Sequence, residues 1–258
     1  MSALTAVVRQ GYRGTFYWRP WRSWTANMVV RPVTYLMVFG ILHRQLDLGT
    51  TQGLVLALCS YVTVVTVVMC ANHAISNDHQ HGTFTVAMST PVAPATVWLT
   101  RCGAHLPNGA ASAVTAVAFS AVAFDLDLGR VDASVPVTFL VVLLSGLSVA
   151  MLVGILTRRL TDWVGPVALA SGTLLTLSGA VIPRHDLPGP LRQLSAVVPL
   201  SHANDALRRG FGLAAGSPWP AIGAELLVAL GVGAAALLLF DRSVQRARAI
   251  GTLIVEGT

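Results

Sequence analysis

The sequence predicts an all-α integral membrane protein in which six transmembrane helices form a single domain over residues 1–258. Of the 258 residues, 54% are hydrophobic and 11% are charged, whereas about 25% of the residues in a soluble domain are charged. Six stretches approach or reach the roughly 20 mostly apolar residues that a helix needs to cross the hydrocarbon core. An amphipathic segment before the first stretch and two segments broken by proline and glycine complete the predicted organisation.

Residues 1–26 are predicted to form an amphipathic helix on the inner leaflet. They contain no apolar core of the kind found in a cleavable signal peptide. The run "GYRGTFYWRPWRSW" places Tyr17, Trp21 and Trp24 on one helical face and Arg19 and Arg22 on the other, as interfacial helices do. An aromatic anchor without a mechanical role is one alternative. A nucleic-acid stacking surface is another, which direct attachment to a span disfavours.

The six predicted spans differ in regularity. The first, residues 27–46, has an apolar run from Pro32 to Leu42 that is too short alone and must continue across Arg31. An arginine near a helix end can extend its guanidinium to the headgroups. The other predicted spans are 53–73, 103–124, 134–157, 163–182 and 220–240.

The distribution of arginine sets the predicted orientation. All 17 basic residues are arginines, and the absence of lysine excludes a P-loop ATPase, a Schiff-base enzyme and a Ser-Lys dyad in this chain. A cytoplasmic N-terminus places most arginines inside, in agreement with the positive-inside rule. Both termini, including a tail at 241–258, are then cytoplasmic, and the arginine-only, Ala-rich composition suggests a bacterial cell (inner or plasma) membrane. The formal charge of +6 therefore reflects topology and contact with membrane lipid rather than nucleic acid.

Small residues recur at four-residue spacing on two spans, which is typical of closely packed membrane helices. One ladder is Gly146, Ala150 and Gly154, and the other is Ala168, Gly172 and Thr176. We expect a tight bundle and a dimer. The three cysteines have no paired spacing, and we expect them to be small buried apolar residues.

Residues 77–100 and 183–212 are neither clean spans nor clean loops. The first segment is too polar to cross the membrane, Gly82 breaks it, and Pro91 and Pro94 suit a first helical turn. We expect an elbow of short helices on the cytoplasmic surface. The second segment mixes Leu and Val with four prolines, Pro183, Pro188, Pro190 and Pro199.

In this order of elements the chain resembles the permease subunit of type-2 ABC exporters, the class that includes drug, O-antigen and teichoic-acid exporters. In the elbow, the residues that match the family pattern are Gly82, Thr83, Ser89, Thr90, Pro91 and Val92. Before the last span, the matching residues are Gly179, Pro183, Leu187, Pro188, Pro199, Leu200, Ser201 and Arg208. The chain departs from the pattern where the family often has Glu-Arg-Glu, because Asp78, His79, Gln80 and His81 stand there. The resemblance then implies that a salt-bridged contact between the elbow and the family's partner ATPase subunit is weaker here, or is pH-sensitive through the histidines.

The resemblance implies a transport subunit, not an enzyme, that works with a pair of ABC ATPase subunits and a second permease copy. ATP and Mg belong to the partner, and no cofactor is expected in this chain. The elbow would be the coupling helix, with Asp78, His79, His81, Gly82, Thr83, Pro91 and Pro94 as its site residues. The segment 183–212 would be an external re-entrant gate, with Gly179, Pro183, Leu187, Pro188, Pro199, Leu200, Ser201 and Arg208 as its site residues.

Glu225 is the one formal charge within the five more regular spans. An intramembrane carboxylate is a functional candidate, here on the translocation path. The alternative is that it extends to the nearby surface or pairs with Arg208 or Arg209.

Other functions have weaker support in the sequence. "LSHAND" brings Ser201, His202 and Asp205 together in sequence, but no nucleophile elbow supports a membrane hydrolase. His73, His79 and His81 form a weak metal pattern, and no metal site is expected. An ion-coupled secondary transporter would need more ionisable residues or matched broken helices.

The composition of the spans bears on the substrate. Few aromatic residues are available to line a sugar path, which favours a hydrophobic small molecule such as an antibiotic, and hence efflux or resistance, or a lipid-linked product. Export of a polysaccharide or glycolipid is the alternative.

Overall fold

The structure, a computed structural model, describes residues 20–45, 51–88, 92–157 and 163–249. This part of the chain consists of helices and connecting turns, without a strand, which confirms the all-α class of integral membrane protein. The main helices are α1 Pro20–Thr25, α2 Arg31–Gln45, α3 Thr51–Gln80, α4 Thr83–Met88, α5 Pro94–Gly103, α6 Leu106–Ala123, α7 Ser134–Thr157, α8 Val164–Leu177, α9 Gly189–Ser195, α10 Ser201–Gly210 and α11 Trp219–Ala249. A π-helical turn, Ala26–Val30, joins α1 to α2.

Five stretches of helix are long and apolar enough to cross a membrane. They are Ala26–Gln45, Thr51–Gln80, Pro94–Ala123, Ser134–Thr157 and Trp219–Ala247. Of the predicted interfacial helix, residues 1–19 lie outside the described part of the chain, and α1 belongs to its remainder. Near the start of the first span, Arg31 donates a hydrogen bond from Nη1 to the Met69 sulfur of α3 at 2.8 Å. The guanidinium therefore contacts another helix of the bundle.

Helix α3 is the centre of the bundle. Nearly all of its residues from Gly53 to Ser76 are buried, and α2, α6, α7, α8 and α10 pack around it. A helix that is apolar all round is stable only when it is surrounded on all sides. With 30 residues, α3 is about 45 Å long. It therefore exceeds the roughly 30 Å hydrocarbon core.

The fifth predicted span, 163–182, is shorter than the sequence suggested. Helix α8 ends at Leu177 and is about 21 Å long. Gly179 has a φ of +74°, a left-handed conformation that stops a helix and that glycine adopts without strain. The residues that follow, up to Ile182, lie in bends outside any helix.

The two small-residue ladders have different surroundings. A Cβ on Gly146 would lie 3.4 Å from the Val64 Cα atom, and one on Gly154 would lie 2.7 Å from the Trp98 ring. The first ladder therefore packs inside one chain, which corrects its use as evidence for a dimer. The second ladder, on α8, is exposed and Gly172 has open space beside it.

The elbow and the segment 183–212 lie at opposite ends of the bundle. The elbow follows the C-terminal end of α3, where Asp78 meets Arg101. Helix α10 lies instead against the N-terminal half of α3, where Asn204 contacts Ser60. Helix α11 packs against both α10 and α5, so one helix connects the two ends.

Candidate functional site

The carboxylate of Glu225 holds the first turn of α10. Its Oε1 atom accepts hydrogen bonds from the Leu200 N–H at 2.7 Å and from the Ser145 hydroxyl at 2.5 Å. Its Oε2 atom accepts from the N–H groups of His202 and Ala203, both at 3.2 Å. The first N–H groups of a helix have no partner within that helix. Glu225, on α11, therefore caps α10 from a different helix.

This arrangement explains how an acidic side chain is tolerated inside the bundle. Glu225 is fully buried, and a buried carboxylate requires hydrogen bonds or a counter-charge. Three backbone N–H groups and the positive end of the helix dipole supply both. Arg208 and Arg209 donate instead to the carbonyls of Gly179 and Ser217. The alternative, that Glu225 extends to the surface or pairs with Arg208 or Arg209, is therefore wrong.

The residue before α10 adopts a strained backbone. Leu200 is completely buried and has a φ of +79°, in a region that costs a non-glycine residue about 1–3 kcal/mol. Pro199 precedes it, and the chain turns sharply into α10 here. Because the Leu200 N–H points at Glu225, the carboxylate stabilises the conformation that this turn needs.

Asn204 fixes α10 on its second side. Its Oδ1 atom accepts a hydrogen bond from the Ser60 hydroxyl at 2.5 Å, and its Nδ2 atom donates to the Ser178 carbonyl at 2.9 Å. Ser60 lies about 14 Å along α3 from Thr51. Helix α10 thus reaches well into the bundle, against α3, α7 and α11.

The remaining predicted gate residues build the approach to α10. The Gly179 carbonyl accepts from Arg208, Pro183 precedes the 3₁₀ turn Arg184–Asp186, Leu187 is buried, and Pro188 precedes α9. Burial lowers the pKa of the Arg208 guanidinium, and the nearby carboxylates of Asp205 and Asp186 act in the opposite direction.

The histidine of "LSHAND" has a structural role. An arginine can only donate, so His202 Nδ1 accepts from Arg184 at 3.3 Å and Nε2 donates to the Ala196 carbonyl at 3.0 Å. The Ser201 hydroxyl has no hydrogen-bond partner within the described residues. The serine and histidine therefore do not form the hydrogen-bonded pair that a hydrolase requires.

At the other end, Asp78 organises the elbow. Its carboxylate pairs with Arg101 of α5 and accepts a hydrogen bond from the Thr83 hydroxyl at 2.8 Å. The turn between α3 and α4 places Gly82 at a φ of +65°, and the Gly82 N–H donates to the His79 carbonyl at 3.1 Å. A single acidic group thus ties together α3, α4 and α5.

A chain of aromatic contacts leads from the elbow to α11. His79 stacks on Phe84 with ring centroids 4.3 Å apart, Phe84 meets Trp98 edge-on at 6.3 Å, and Trp98 stacks on Phe240 at 4.2 Å. Trp98 is fully buried. The small size of Gly154 on α7 makes room for its ring.

Other predicted elbow residues are more peripheral. His81 is exposed at the turn, and Pro94 begins α5. Pro91 lies outside the described residues, as do Ser89 and Thr90. No group of three metal-binding side chains occurs in the described ranges, and His73 packs against the Trp163 ring instead.

The outer surface of the elbow is apolar. Val86 is 68% exposed, Val92 43% and Leu99 40%. Exposed apolar side chains at the elbow suit contact with another protein or with lipid.

Several residues of both sites carried no recognisable sequence pattern. Ser145 and Asn204 are polar residues whose partners lie in distant segments of the chain. Trp98 and Phe240 also come from distant segments, and in the sequence they look like ordinary apolar residues. The polar amide of Asn204, within a helix of the bundle, is the one sequence feature that could have marked this residue as functional.

The model of a family described as ABC-2 type transporter matches residues 4–211, which include both the elbow and α10. No curated protein sequence matches the chain.

Proposed function

Because this chain belongs to the ABC-2 type transporter family, we propose that it is an exporting permease that moves a hydrophobic small molecule outward. It is a multi-pass membrane protein and a transporter permease. Its family works with an ABC ATPase in general. The proposal adds the direction, the substrate class and the residues that couple ATP hydrolysis to movement.

One observation carries the coupling mechanism: α11 contacts the elbow at one end and the predicted gate at the other. Phe240 stacks on Trp98 of α5, and Glu225 caps α10. These two residues lie about 22 Å apart along the helix. A displacement of the elbow therefore shifts the carboxylate that holds α10, as in rigid-body coupling between domains.

The partner is a separate ABC ATPase subunit that docks on the elbow. The apolar surface of Val86, Val92 and Leu99 supports this contact, and the rigid link through Asp78 and Arg101 transmits its movement into the bundle. ATP and Mg bind to that subunit, because this sequence contains no lysine for a P-loop.

Two ATPase subunits require a second permease copy, and we propose a homodimer in a bacterial plasma membrane. The exposed small-residue face of α8 is a surface on which two helices can approach closely. In this orientation both termini are cytoplasmic and α9 and α10 lie on the external side, as the arginine distribution predicts.

The buried Glu225 also bears on the alternatives. An ion-coupled transporter would use the carboxylate to bind and release a cation, but here three backbone N–H groups and a hydroxyl occupy it. We therefore assign Glu225 to positioning the gate. Export of a polysaccharide or glycolipid by the same machinery is the second candidate for the substrate.

Transport into inside-out vesicles tests the proposal. The chain is co-expressed with an ABC ATPase subunit, and a fluorescent hydrophobic dye is added outside the vesicles with Mg-ATP. Outward export appears as ATP-dependent accumulation of the dye, and an ATPase subunit that cannot hydrolyse ATP is the control. Accumulation of dye in right-side-out vesicles preloaded with Mg-ATP would instead indicate import, and movement of a labelled glycolipid alone would indicate the second substrate class.

A further inference from the structure

A basic cavity lies beside α10. It has a volume of about 680 Å³, which is within the usual range for small-molecule sites of about 300–1,000 Å³. Its lining residues are Arg184, Arg192, Gln193, Ala196, Asp205, Arg208, Arg209, Ala214 and Ala215. The lining therefore holds four guanidinium groups and one carboxylate.

Two of these arginines are engaged in holding the fold. Arg208 donates to the Gly179 carbonyl at 2.8 Å and lies 3.7 Å from the Asp205 carboxylate. Arg209 donates to the Ser217 carbonyl. Both stand in the last turn of α10, where positive charge also complements the helix dipole. Their charge faces the cavity, but their main contacts are structural.

The other two arginines have donors to spare. Among the described residues, Arg184 makes one hydrogen bond, to His202 Nδ1 at 3.3 Å. Arg192 is exposed and makes no hydrogen bond or ion pair within the described residues. A guanidinium has five N–H donors. Arg184 is the first residue of a single 3₁₀ turn. Its positive charge therefore does not complement the C-terminal end of a helix dipole.

We propose that this cavity binds a phosphate group, with Arg184 and Arg192 as its main ligands. Planar guanidinium groups match the oxygens of phosphate in paired hydrogen bonds. The four lining guanidinium groups outnumber the Asp205 carboxylate in the lining and the Asp186 carboxylate nearby. Phosphate reaches this position either as a lipid headgroup at the membrane surface or as a free phosphorylated solute. Phosphate binding at this cavity does not depend on the proposed transport function, and the binding experiment below tests it separately.

Direct binding to the purified full chain in phosphate-free maltoside detergent tests the site. The probes are short-chain phosphatidylglycerol and inorganic phosphate, with short-chain diacylglycerol as an uncharged control, in buffer containing 150 mM salt. Affinity is measured by thermophoresis for the wild type, for Arg192→Gln, and for Arg184→Gln combined with Arg192→Gln. Arg44→Gln removes an equal charge from a residue outside the cavity lining and serves as the matched control.

Each lost charge-assisted contact is expected to weaken binding about tenfold. Arg192→Gln, whose exposed side chain supports no described contact, separates ligand binding from any folding defect. Dependence of phosphatidylglycerol binding alone on both arginines would identify a headgroup site, and equal dependence of inorganic phosphate would identify the free anion as sufficient. Absence of binding by either probe, or equal affinities in the wild type and the double variant, would overturn the proposal.

Discussion

Replacing Glu225 with glutamine tests whether the carboxylate holds α10. The amide keeps the shape of the side chain but converts one acceptor oxygen into an NH₂ donor. In either orientation this NH₂ faces backbone N–H groups that also donate, that of Leu200 or those of His202 and Ala203. The Ser145 hydroxyl can rotate to compensate, whereas the backbone groups cannot.

The cost follows from the bonds that are lost. Up to two charge-assisted hydrogen bonds disappear, each worth about 1.5–3 kcal/mol, together with the negative charge at the N-terminus of α10. Because these contributions overlap, we expect Glu225→Gln to destabilise the packed position of α10 by about 3 kcal/mol. A loss of about 3 kcal/mol increases the opened population about 100-fold.

Hydrogen–deuterium exchange measures this opening, because the N–H groups in question are the ones that Glu225 protects. Peptides covering 198–210 should exchange about 100-fold faster in Glu225→Gln, while peptides from α3 remain unchanged. Asp241→Asn is the matched control, since this carboxylate lies on the same helix and, within the described part of the chain, accepts a hydrogen bond only from Gln245. Equal protection of 198–210 in Glu225→Gln and wild type would refute the capping argument, and faster exchange throughout α3 would refute a local role.

Three further substitutions test the elbow and its packing against α7. Gly82→Ala should destabilise the elbow turn by about 1–2 kcal/mol, because its φ is positive, and should reduce coupled ATP hydrolysis. Gly103→Ala, which also has open space around its Cβ, should leave coupled hydrolysis unchanged. Equal ATPase activities of the two variants would contradict this prediction. Gly154→Ala should lower thermal stability by about 1–3 kcal/mol, because its Cβ would overlap the indole ring; an unchanged melting temperature, as expected for Gly172→Ala, would disprove the close packing. Asp78→Asn should lower ATPase coupling with unchanged expression, and full coupling would exclude the ion pair from transmission.

The helical framework was predictable because hydropathy reports burial in lipid or protein. It failed locally at α8, where the apolar residues continue to Ile182 but the helix stops at Leu177. Hydropathy cannot distinguish a helix from an apolar segment that is not helical, and the conformation of Gly179 makes the difference here.

The site was predictable in part. Glu225 stood out as a charge in an apolar span, yet its partners are backbone N–H groups, which have no sequence signature. Leu200 adopts a backbone conformation that its side chain disfavours, so propensity pointed away from the turn that creates the cap. Trp98 and Phe240 meet only after the chain folds.

The most direct test of the central claim is photo-crosslinking from the elbow to an ABC ATPase subunit in the co-purified complex. A photoreactive residue at Val86, which is exposed on α4, should crosslink to the ATPase subunit. The same residue at Val122 on α6, which is also exposed and lies toward the opposite end of the bundle, should not. A complex that forms without a crosslink from Val86, or that crosslinks from Val122, would contradict the proposal that the elbow couples this permease to ATP hydrolysis.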